Sequence, residues 1–232
     1  MSFLFPAPAT PSVAILGQAE RFPVHRIYCV GQNYAKHAQE MGASGRKPPF
    51  FFLKPADAIL SVAEGGLVGQ MPYPSLTEDL HHEVELVAAL HRGGRDIPVA
   101  QALEHVWGYA VGLDMTRRDL QAQQKKAGRA WSIAKGFEHS APIGPIVPKA
   151  QVGAIEQASI ELDVDGQPRQ SGNTTEMIWS VAEVIATLSK AWELQPGDLI
   201  FTGTPAGVGP VLPGQQMQAR IAGLPELRVM VL

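Results

Sequence analysis

The sequence predicts a β-rich fold of the α+β class, a sandwich or roll of strands with a few short helices. The chain has 23 glycines and 19 prolines among 232 residues, and this many breakers cuts it into short elements joined by turns. Most apolar runs have the length of strands, and one long segment alone has clear helical periodicity. The strand–helix–strand alternation of a doubly wound sheet does not run through the chain, so that architecture is not expected.

The composition argues against nucleic-acid and membrane partners. The net charge is −3, and the one dense basic cluster, between residues 117 and 126, is interrupted by Asp119. No apolar run approaches the roughly 18 residues of a membrane span, and residues 1–10 lack the charged start of a signal peptide. The single cysteine, Cys29, cannot form an internal disulfide and is expected in the core. We therefore expect a cytoplasmic protein.

The N-terminal half is predicted to consist mainly of strands. Residues 1–21 are interpreted as a short N-terminal extension with a strand at Ser12–Leu16, and residues 22–232 as a single domain that carries any activity. Asn33 and Gly42 are suited to begin and end a short helix between them. The predicted elements are the strands Arg26–Val30, Phe50–Lys54, His82–Leu90 and Val106–Asp114, and the helix Tyr34–Met41.

The C-terminal half adds a hairpin and the one clear amphipathic helix. Asp165-Gly166 is a typical two-residue hairpin turn. Apolar residues between Met177 and Ala191 recur at helical spacing, as in ordinary core packing. A turn at Pro196-Gly197-Asp198 precedes a strand and a glycine-rich loop. The predicted elements are the polar helix Thr116–Ala127, the hairpin arm Ile160–Val164, the helix Met177–Ala191, the strand Leu199–Thr202 and the loop that ends at Gly209.

Three acidic residues form the strongest candidate for a metal site. Glu83 and Glu85 lie two apart in a predicted strand and so face the same side, together with the apolar Val87. Paired carboxylates repel each other unless a cation lies between them. Asp114 ends an otherwise apolar run, although an Asp there is as typical of a helix cap. Three carboxylates without a Cys or His cluster suit Mg²⁺, Mn²⁺ or Ca²⁺ and leave positions open for substrate and water.

His37 and Glu40 are the candidates for general-base catalysis. They lie three apart on a predicted helix, and a carboxylate beside an imidazole orients it and raises its basicity. The same spacing also occurs in ordinary surface pairs. The glycine-rich, basic segment from Gly31 to Pro49 has almost no apolar anchor, so it is either a mobile lid over the site or an ordered surface loop.

Further polar side chains downstream of Asp114 could contact a substrate. Arg118 and Gln121 lie three apart on the polar helix, although Arg118 alone is typical of a solvated surface charge. Lys135 lies in an apolar run, where an unpaired lysine is costly, and its ammonium group could stabilise an oxyanion. The loop Thr202–Gly209 lacks the ending of a phosphate loop, but its amides could hold a carboxylate.

Five motifs occur in the order in which one known family has them. They run from Arg26 to His37, from His81 to Glu85, from Gly108 to Gln121, from Ala134 to Phe137 and from Thr202 to Pro205. With them the chain resembles the fumarylacetoacetate hydrolase family over roughly residues 22 to 230. The resemblance implies a β-sandwich roll and a homodimer. It also implies a divalent metal on Glu83, Glu85 and Asp114, a lid pair formed by His37 and Glu40, and oxyanion or substrate contacts by Arg118, Gln121, Lys135 and Thr204.

Within the family, Arg21–Val24 and Pro48–Asp57 are most similar to the members that act on fumarylpyruvate. The resemblance therefore implies hydrolysis of a carbon–carbon bond in an acylpyruvate, with fumarylpyruvate yielding fumarate and pyruvate in gentisate breakdown. Gln32 departs from the family, where Arg is common, which puts an anion contact there in doubt. Glu138 stands where Asp is usual.

The implied mechanism starts with water that His37, oriented by Glu40, deprotonates for attack on the distal carbonyl. Lys135 and Gln121 stabilise the resulting oxyanion, and a pyruvate enolate departs. Arg118 and Thr204 hold the far end of the substrate or its carboxylate.

The same metal site supports other readings. An oxaloacetate-type decarboxylase or an enol–keto isomerase would use the same carboxylates, and the His37–Glu40 pair favours hydrolysis. A metal-dependent nuclease would need a surface for phosphates, against which the negative net charge argues. A non-catalytic protein that metal stabilises is also consistent with the residues.

Overall fold

The computed structural model describes residues 3–35, 46–63 and 66–232. His37, Glu40, most of the predicted helix Tyr34–Met41 and much of the expected lid lie outside the described residues. Strands dominate the rest, which confirms the β-rich prediction. They are β1 (Ser12–Ala14), β2 (Arg21–Pro23), β3 (Ile27–Gly31), β4 (Phe50–Lys54), β5 (Ile59–Ser61), β6 (Val68–Met71), β7 (Leu80–His82), β8 (Val84–Leu90), β9 (Val106–Leu113), β10 (Thr116–Arg117), β11 (Ala141–Ile143), β12 (Val147–Pro148), β13 (Ser159–Val164), β14 (Gln167–Asn173), β15 (Leu199–Phe201), β16 (Gly209–Pro210), β17 (Gln216–Ile221) and β18 (Leu227–Val231).

The helices in this part of the chain are short, and none is long and apolar enough to cross a membrane. The polar helix begins at Arg118 rather than Thr116, because the two preceding residues pair with β7. The helices of the described residues are α1 (Val99–Ala102), α2 (Arg118–Lys126), α3 (Ser132–Lys135) and α4 (Val181–Ala191), with 3-10 turns at Ala56–Ala58, Leu103–His105, Lys149–Gln151, Ile155–Gln157 and Thr174–Glu176.

The prediction of a helix from Met177 was wrong at its start, because the chain has two capping boxes in succession. Asn173 and Glu176 cap the 3-10 turn, after which Met177 is extended. Ser180 and Glu183 then form a second box, in which each side chain accepts a hydrogen bond from the other's backbone amide. The helix therefore begins at Val181.

An eight-stranded mixed sheet forms the centre of the molecule. Its order is β4-β3-β15-β8-β9-β11-β5, and β12 also pairs with β9. Strand β8 pairs with β15 and β9 in antiparallel fashion, and all seven of its residues are buried. The predicted strand His82–Leu90 is two strands, because the chain passes from a small three-stranded sheet, β10-β7-β16, into the central sheet at Glu83.

A five-stranded sheet, β14-β13-β17-β18-β6, packs on one face of the central sheet. Ile160 and Leu162 of β13 share a core with Leu86 of β8, which completes the sandwich. The predicted hairpin β13–β14 is confirmed, and its turn residues Asp165 and Gly166 have φ of 50° and 72°.

The opposite face of the central sheet carries a second core. Cys29 is fully buried there, as predicted, beside Val87 and Phe201. The hairpin β1–β2 covers this face with Val13 and Phe22.

Strand alternation places Glu85 on the same face as Val87. Asp114 follows directly after β9, whose Leu113 pairs with Val84. The two acids therefore meet at one end of the second core.

Candidate active site

Three carboxylates meet at the junction of β7, β8 and β9. Glu83, Glu85 and Asp114 are all buried, and one oxygen of each lies within 4.8 Å of the others. Burial raises the pKa of Glu85 well above its usual range, and the charges of Asp114 and Glu83 raise it further. A divalent cation would offset all three causes. The buried oxygen donors therefore fit a hard ion, and the structure places the three predicted acids together as a group able to hold one.

Lys135 lies against this cluster on the short helix α3. Its ammonium group donates to Glu83 Oε2 at 2.9 Å, to Asp114 Oδ2 at 2.7 Å and to Thr116 Oγ1 at 2.6 Å. Burial alone would lower the pKa of Lys135, but the two carboxylates outweigh it and the pKa is raised. All three N–H groups are thus used, and the charge is held beside the acids.

Lys54 is a second buried lysine at the site, and the sequence reasoning missed it. Its Nζ lies 2.8 Å from Asp114 Oδ1 and donates to the carbonyl oxygen of Met115 at 3.0 Å. Burial lowers its pKa, and Asp114 only partly offsets this. The signal was present in the sequence, because Lys54 ends the apolar run Phe50–Leu53 just as Lys135 interrupts another.

Arg118 also contacts the cluster, at Glu83. One terminal nitrogen pairs with Glu83, and the other donates to Gln121 Oε1 at 2.5 Å. Its Nε donates to His81 Nδ1 at 3.2 Å, and His81 Nε2 lies 2.9 Å from Asp79. Arg118 is therefore held by neighbours on three sides, which a solvated surface arginine would not be.

The loop after β15 is fitted closely to the cluster. The amide of Gly203 donates to Glu85 Oε2 at 2.8 Å, so the loop holds a carboxylate of the protein itself. Gly203 has φ of +102°, and a Cβ there would lie 2.7 Å from Asn33 Cβ. The side chain of Asn33 donates to the carbonyl oxygens of Thr202 and Trp179. Glycine is required at this close approach.

Gln170, from the outer strand β14, also contacts the loop. It is 2% exposed, and its amide donates to Thr204 Oγ1 at 2.7 Å and to the carbonyl oxygen of Pro205 at 2.9 Å. Its oxygen accepts from the amide of Val84 at 3.1 Å. No local pattern marks Gln170 in the sequence, because only the packing of the two sheets brings it to the site.

A pocket opens onto the cluster and is part polar and part aromatic. The ring of Trp131 packs edge-on against Phe50 and Phe52, at centroid distances of 5.3 and 5.8 Å. Gln32 lines the pocket with φ of 57°, while Glu138 is exposed and nothing in the structure explains it. The lining residues are Val30, Gly31, Gln32, Phe50, Phe52, Glu83, Glu85, Arg118, Gln121, Trp131, Lys135 and Thr204.

The family model for the fumarylacetoacetate hydrolase C-terminal region matches residues 26–232. The fold is shared with a solved fumarylpyruvate hydrolase from Pseudomonas aeruginosa, in complex with Mn²⁺ and pyruvate. That structure has a TM-score of 0.97 and 55% identity, and the match covers 100% of this chain and 99% of the other.

Curated relatives carry different names. A mitochondrial oxaloacetate tautomerase of Arabidopsis thaliana is 44% identical over 203 residues, which are 88% of this chain and 89% of the relative. A mitochondrial oxaloacetate decarboxylase of Dictyostelium discoideum is 42% identical over 199 residues, which are 86% of this chain and 89% of the relative.

Proposed function

The chain belongs to the fumarylacetoacetate hydrolase family, and we propose on this premise that it hydrolyses a carbon–carbon bond of an acylpyruvate, with fumarylpyruvate as substrate. The observation that carries the proposal is the cluster of three buried carboxylates held by basic side chains, of which Glu83 and Glu85 line the pocket. The similarity of the chain to the fumarylpyruvate hydrolase that was solved with Mn²⁺ and pyruvate supports the choice of substrate. Mg²⁺ or Mn²⁺ is the proposed cofactor, held by Glu83, Glu85 and Asp114.

The charges of the site favour an anionic substrate. Three carboxylates face three basic side chains, those of Lys54, Lys135 and Arg118, so that the six charges cancel when all are ionised. A bound divalent ion would then leave the site with an excess of about two positive charges. A keto acid with two carboxylates would match this excess, whereas a neutral carbonyl compound would not.

The side chains that line the pocket suit the proposed chemistry. A divalent ion at the cluster would supply positive charge to the substrate oxygens that become negative during cleavage. Gln121 is proposed to donate a hydrogen bond to the oxyanion formed at the distal carbonyl, and Lys135 is proposed to do the same by exchanging one of its hydrogen bonds to the carboxylates. Arg118 and Thr204 are proposed to hold the carboxylate of the pyruvate half. Phe50, Phe52 and Trp131 form an apolar wall that can pack against a flat, unsaturated acyl group.

His37 remains the proposed general base, oriented by Glu40. Both residues lie outside the described part of the chain, so this role rests on the sequence and on the family resemblance. A positioned base contributes on the order of 10²- to 10⁴-fold to a rate. Hydrolysis needs a base to activate water, whereas enolisation or decarboxylation of oxaloacetate does not consume water.

Tautomerisation or decarboxylation of oxaloacetate is the second candidate function. The relatives named for these reactions are 44% and 42% identical to the chain. Oxaloacetate is itself a keto acid with two carboxylates, so the charge argument applies to it equally. The aromatic wall favours the longer acylpyruvate, because oxaloacetate lacks the additional acyl group that would pack against it.

A panel of keto acids separates the candidates. Fumarylpyruvate, a saturated acylpyruvate and oxaloacetate are offered to the purified protein with Mg²⁺, Mn²⁺ or EDTA. Loss of the enol absorbance is followed together with direct detection of pyruvate and CO₂. The proposal expects stoichiometric fumarate and pyruvate, and no turnover in EDTA.

His37→Ala is expected to lower hydrolysis by about 10²- to 10⁴-fold. The exposed His91 provides the control, since His91→Ala should leave the rate unchanged. Faster turnover of oxaloacetate than of any acylpyruvate would reverse the order of the two candidates.

The remaining proposals concern the state of the protein in solution. We propose a homodimer, as the family resemblance implies, and size-exclusion chromatography with light scattering tests it. A cytoplasmic location is proposed from the sequence, and fractionation of the source cells tests that.

A further inference from the structure

The side chain of Gln170 uses both ends of its amide in a buried position between the two sheets. Its Oε1 accepts from the amide of Val84 at 3.1 Å and lies 2.9 Å from His82 Nδ1. Its Nε2 donates to Thr204 Oγ1 at 2.7 Å and to the carbonyl oxygen of Pro205 at 2.9 Å. An amide has two donor hydrogens and two acceptor lone pairs, so every hydrogen-bonding capacity of this side chain is used.

The backbone determines which end of the Gln170 amide is oxygen and which is nitrogen. The N–H of Val84 can only donate, so it requires an acceptor opposite it. The carbonyl of Pro205 can only accept, so it requires a donor. Turning the amide over would set two donors against each other and two acceptors against each other. The orientation is therefore independent of the tautomer of His82.

This orientation determines what the hydroxyl of Thr204 can do. An amide nitrogen donates and does not accept, so Thr204 Oγ1 is the acceptor in its bond with Gln170. The hydroxyl proton is not used in that bond, and no residue in the described ranges accepts it. Thr204 is 2% exposed and lines the pocket together with Glu85 and Arg118. Its hydroxyl is thus available as a hydrogen-bond donor to a molecule in that pocket.

We propose that Gln170 is a positioning residue that presents the hydroxyl of Thr204 as a donor to the carboxylate of a bound 2-keto acid. Thr204 touches the substrate, and Gln170 acts through it. The inference rests on the proposed function for the identity of the anion. A hydrogen bond to a charged acceptor is stronger than one between neutral groups, so the prior orientation of this proton favours an anionic ligand.

A double-mutant cycle on pyruvate binding tests the proposal. Pyruvate is titrated calorimetrically into Mn²⁺-loaded wild type, Thr204→Val, Gln170→Met and the double variant. Each single variant is expected to bind pyruvate about 10- to 100-fold more weakly, the range for loss of a hydrogen bond to a charged group. The double variant is expected to bind no more weakly than Thr204→Val, because Gln170 has nothing left to position.

Three controls separate positioning from general damage to the site. Thr204→Ser keeps the hydroxyl and should keep most of the affinity. Gln167→Met, at an exposed position of the same strand, should bind pyruvate like the wild type. Titration of Mn²⁺ without pyruvate should give the same affinity in all variants, since neither Thr204 nor Gln170 is a proposed metal ligand.

Two results would overturn the proposal. One is wild-type affinity for pyruvate in Gln170→Met, and the other is a double variant in which the two losses simply add. If Gln170→Met does not fold, Gln170→Glu is measured instead. A carboxylate has acceptors at both ends and would draw the proton of Thr204 away from the pocket, so pyruvate binding should weaken, and unchanged binding would count against the proposal.

The proposed function can fail separately from this inference. If the wild type binds pyruvate but cleaves no acylpyruvate, the proposed function is wrong while the cycle still decides the role of Gln170. If acylpyruvates are cleaved and the cycle is additive, only the inference about Gln170 is wrong. With a cleaved substrate, the same variants should raise KM more than they lower kcat.

Discussion

The two buried lysines show how individual residues hold the acids of the site. Lys135 contacts two carboxylates and its pKa is raised, whereas Lys54 contacts one carboxylate and its pKa is lowered by burial. Two carboxylates beside one ammonium group offset the free-energy cost of its desolvation, whereas a single carboxylate does not. Lys54 is thus the less well compensated charge, and Asp114 depends on it for a partner at Oδ1.

Lys54→Met is expected to lower the free energy of unfolding of the metal-free protein by about 3–5 kcal/mol. This is the usual cost of leaving one member of a buried ion pair without its partner. Urea unfolding in EDTA measures it, with Lys126→Met on the exposed face of α2 as the matched control. Mn²⁺ should recover more stability in the variant than in the wild type, because it gives Asp114 a new counter-charge. An unchanged unfolding midpoint in Lys54→Met would contradict the structural role.

Residue by residue, the site was predictable where chemistry shows in local sequence. Glu83, Glu85 and Asp114 stand out because acids are rare in apolar strands, and Lys135 stands out for the same reason. Lys54 carried an equal signal that the sequence reasoning did not use. Gln170 carried none, because a glutamine on an exposed-looking strand becomes buried only when the second sheet packs.

At the scale of elements, the start of α4 depends on its capping box. Ser180 and Glu183 each accept a hydrogen bond from the other's backbone amide, and Glu183 also pairs with Arg46 at 2.6 Å. The hydrogen bond from the Ser180 amide is the main cause that lowers the pKa of Glu183, and Arg46 contributes further. The ionised carboxylate therefore stabilises the first turn of the helix.

The pH dependence of stability follows from this lowered pKa. Below the folded-state pKa, Glu183 is protonated in the folded and the unfolded protein, and above the ordinary pKa of 4.5 it is ionised in both. The stability that Glu183 contributes is therefore fully present above pH 4.5 and is lost as pH falls through the folded-state pKa. Glu183→Gln should cost about 0.3–1 kcal/mol at neutral pH and nothing under acid conditions. Thermal unfolding from pH 7 to pH 3 measures this, with the exposed Glu20→Gln as control. An equal cost at both pH values would contradict the assignment to charge.

The elements themselves were predictable to different degrees. Phe50–Lys54 was predicted with its observed bounds, and the hairpin turn at Asp165-Gly166 was correct, because both signals are local. The helix predicted from Met177 begins four residues later in the structure, at Val181, because periodicity alone does not show a cap. The sequence does contain a recognisable capping-box motif, Ser180-Val-Ala-Glu183. The break at Glu83 was not predictable, because it depends on which sheet each half joins.

At the scale of the whole molecule, the site joins parts that the chain keeps far apart. The acids come from the junction of β7 and β8, from β8 and from the residue after β9; α2 and α3 supply two of the basic groups, and the outer sheet supplies Gln170. The metal and the substrate would therefore bind to one connected network of charged side chains rather than to two separate sites.

Mn²⁺ and pyruvate are accordingly expected to bind cooperatively. Because the acids are already balanced by basic side chains, the metal gains a counter-charge when the anion arrives, and the anion gains one when the metal is present. Each should raise the affinity of the other by at least about fivefold, and by the same factor. Titration of each ligand in the presence and absence of the other measures both factors. Equal pyruvate affinity with Mn²⁺ and with EDTA would show that the two sites are independent.

Strand β4 lies at an edge of the central sheet, where β3 is its partner among the described strands. It brings Phe50 and Phe52 to the pocket wall, while Glu85 lies on β8 and Asp114 directly follows β9, both at the centre of the same sheet. Edge strands accept new side chains with little effect on the strands behind them. On the proposed function, mutations on β4 and at Trp131 can therefore exchange one acyl group for another while the three carboxylates stay in place, so the specificity of this scaffold can change in few steps.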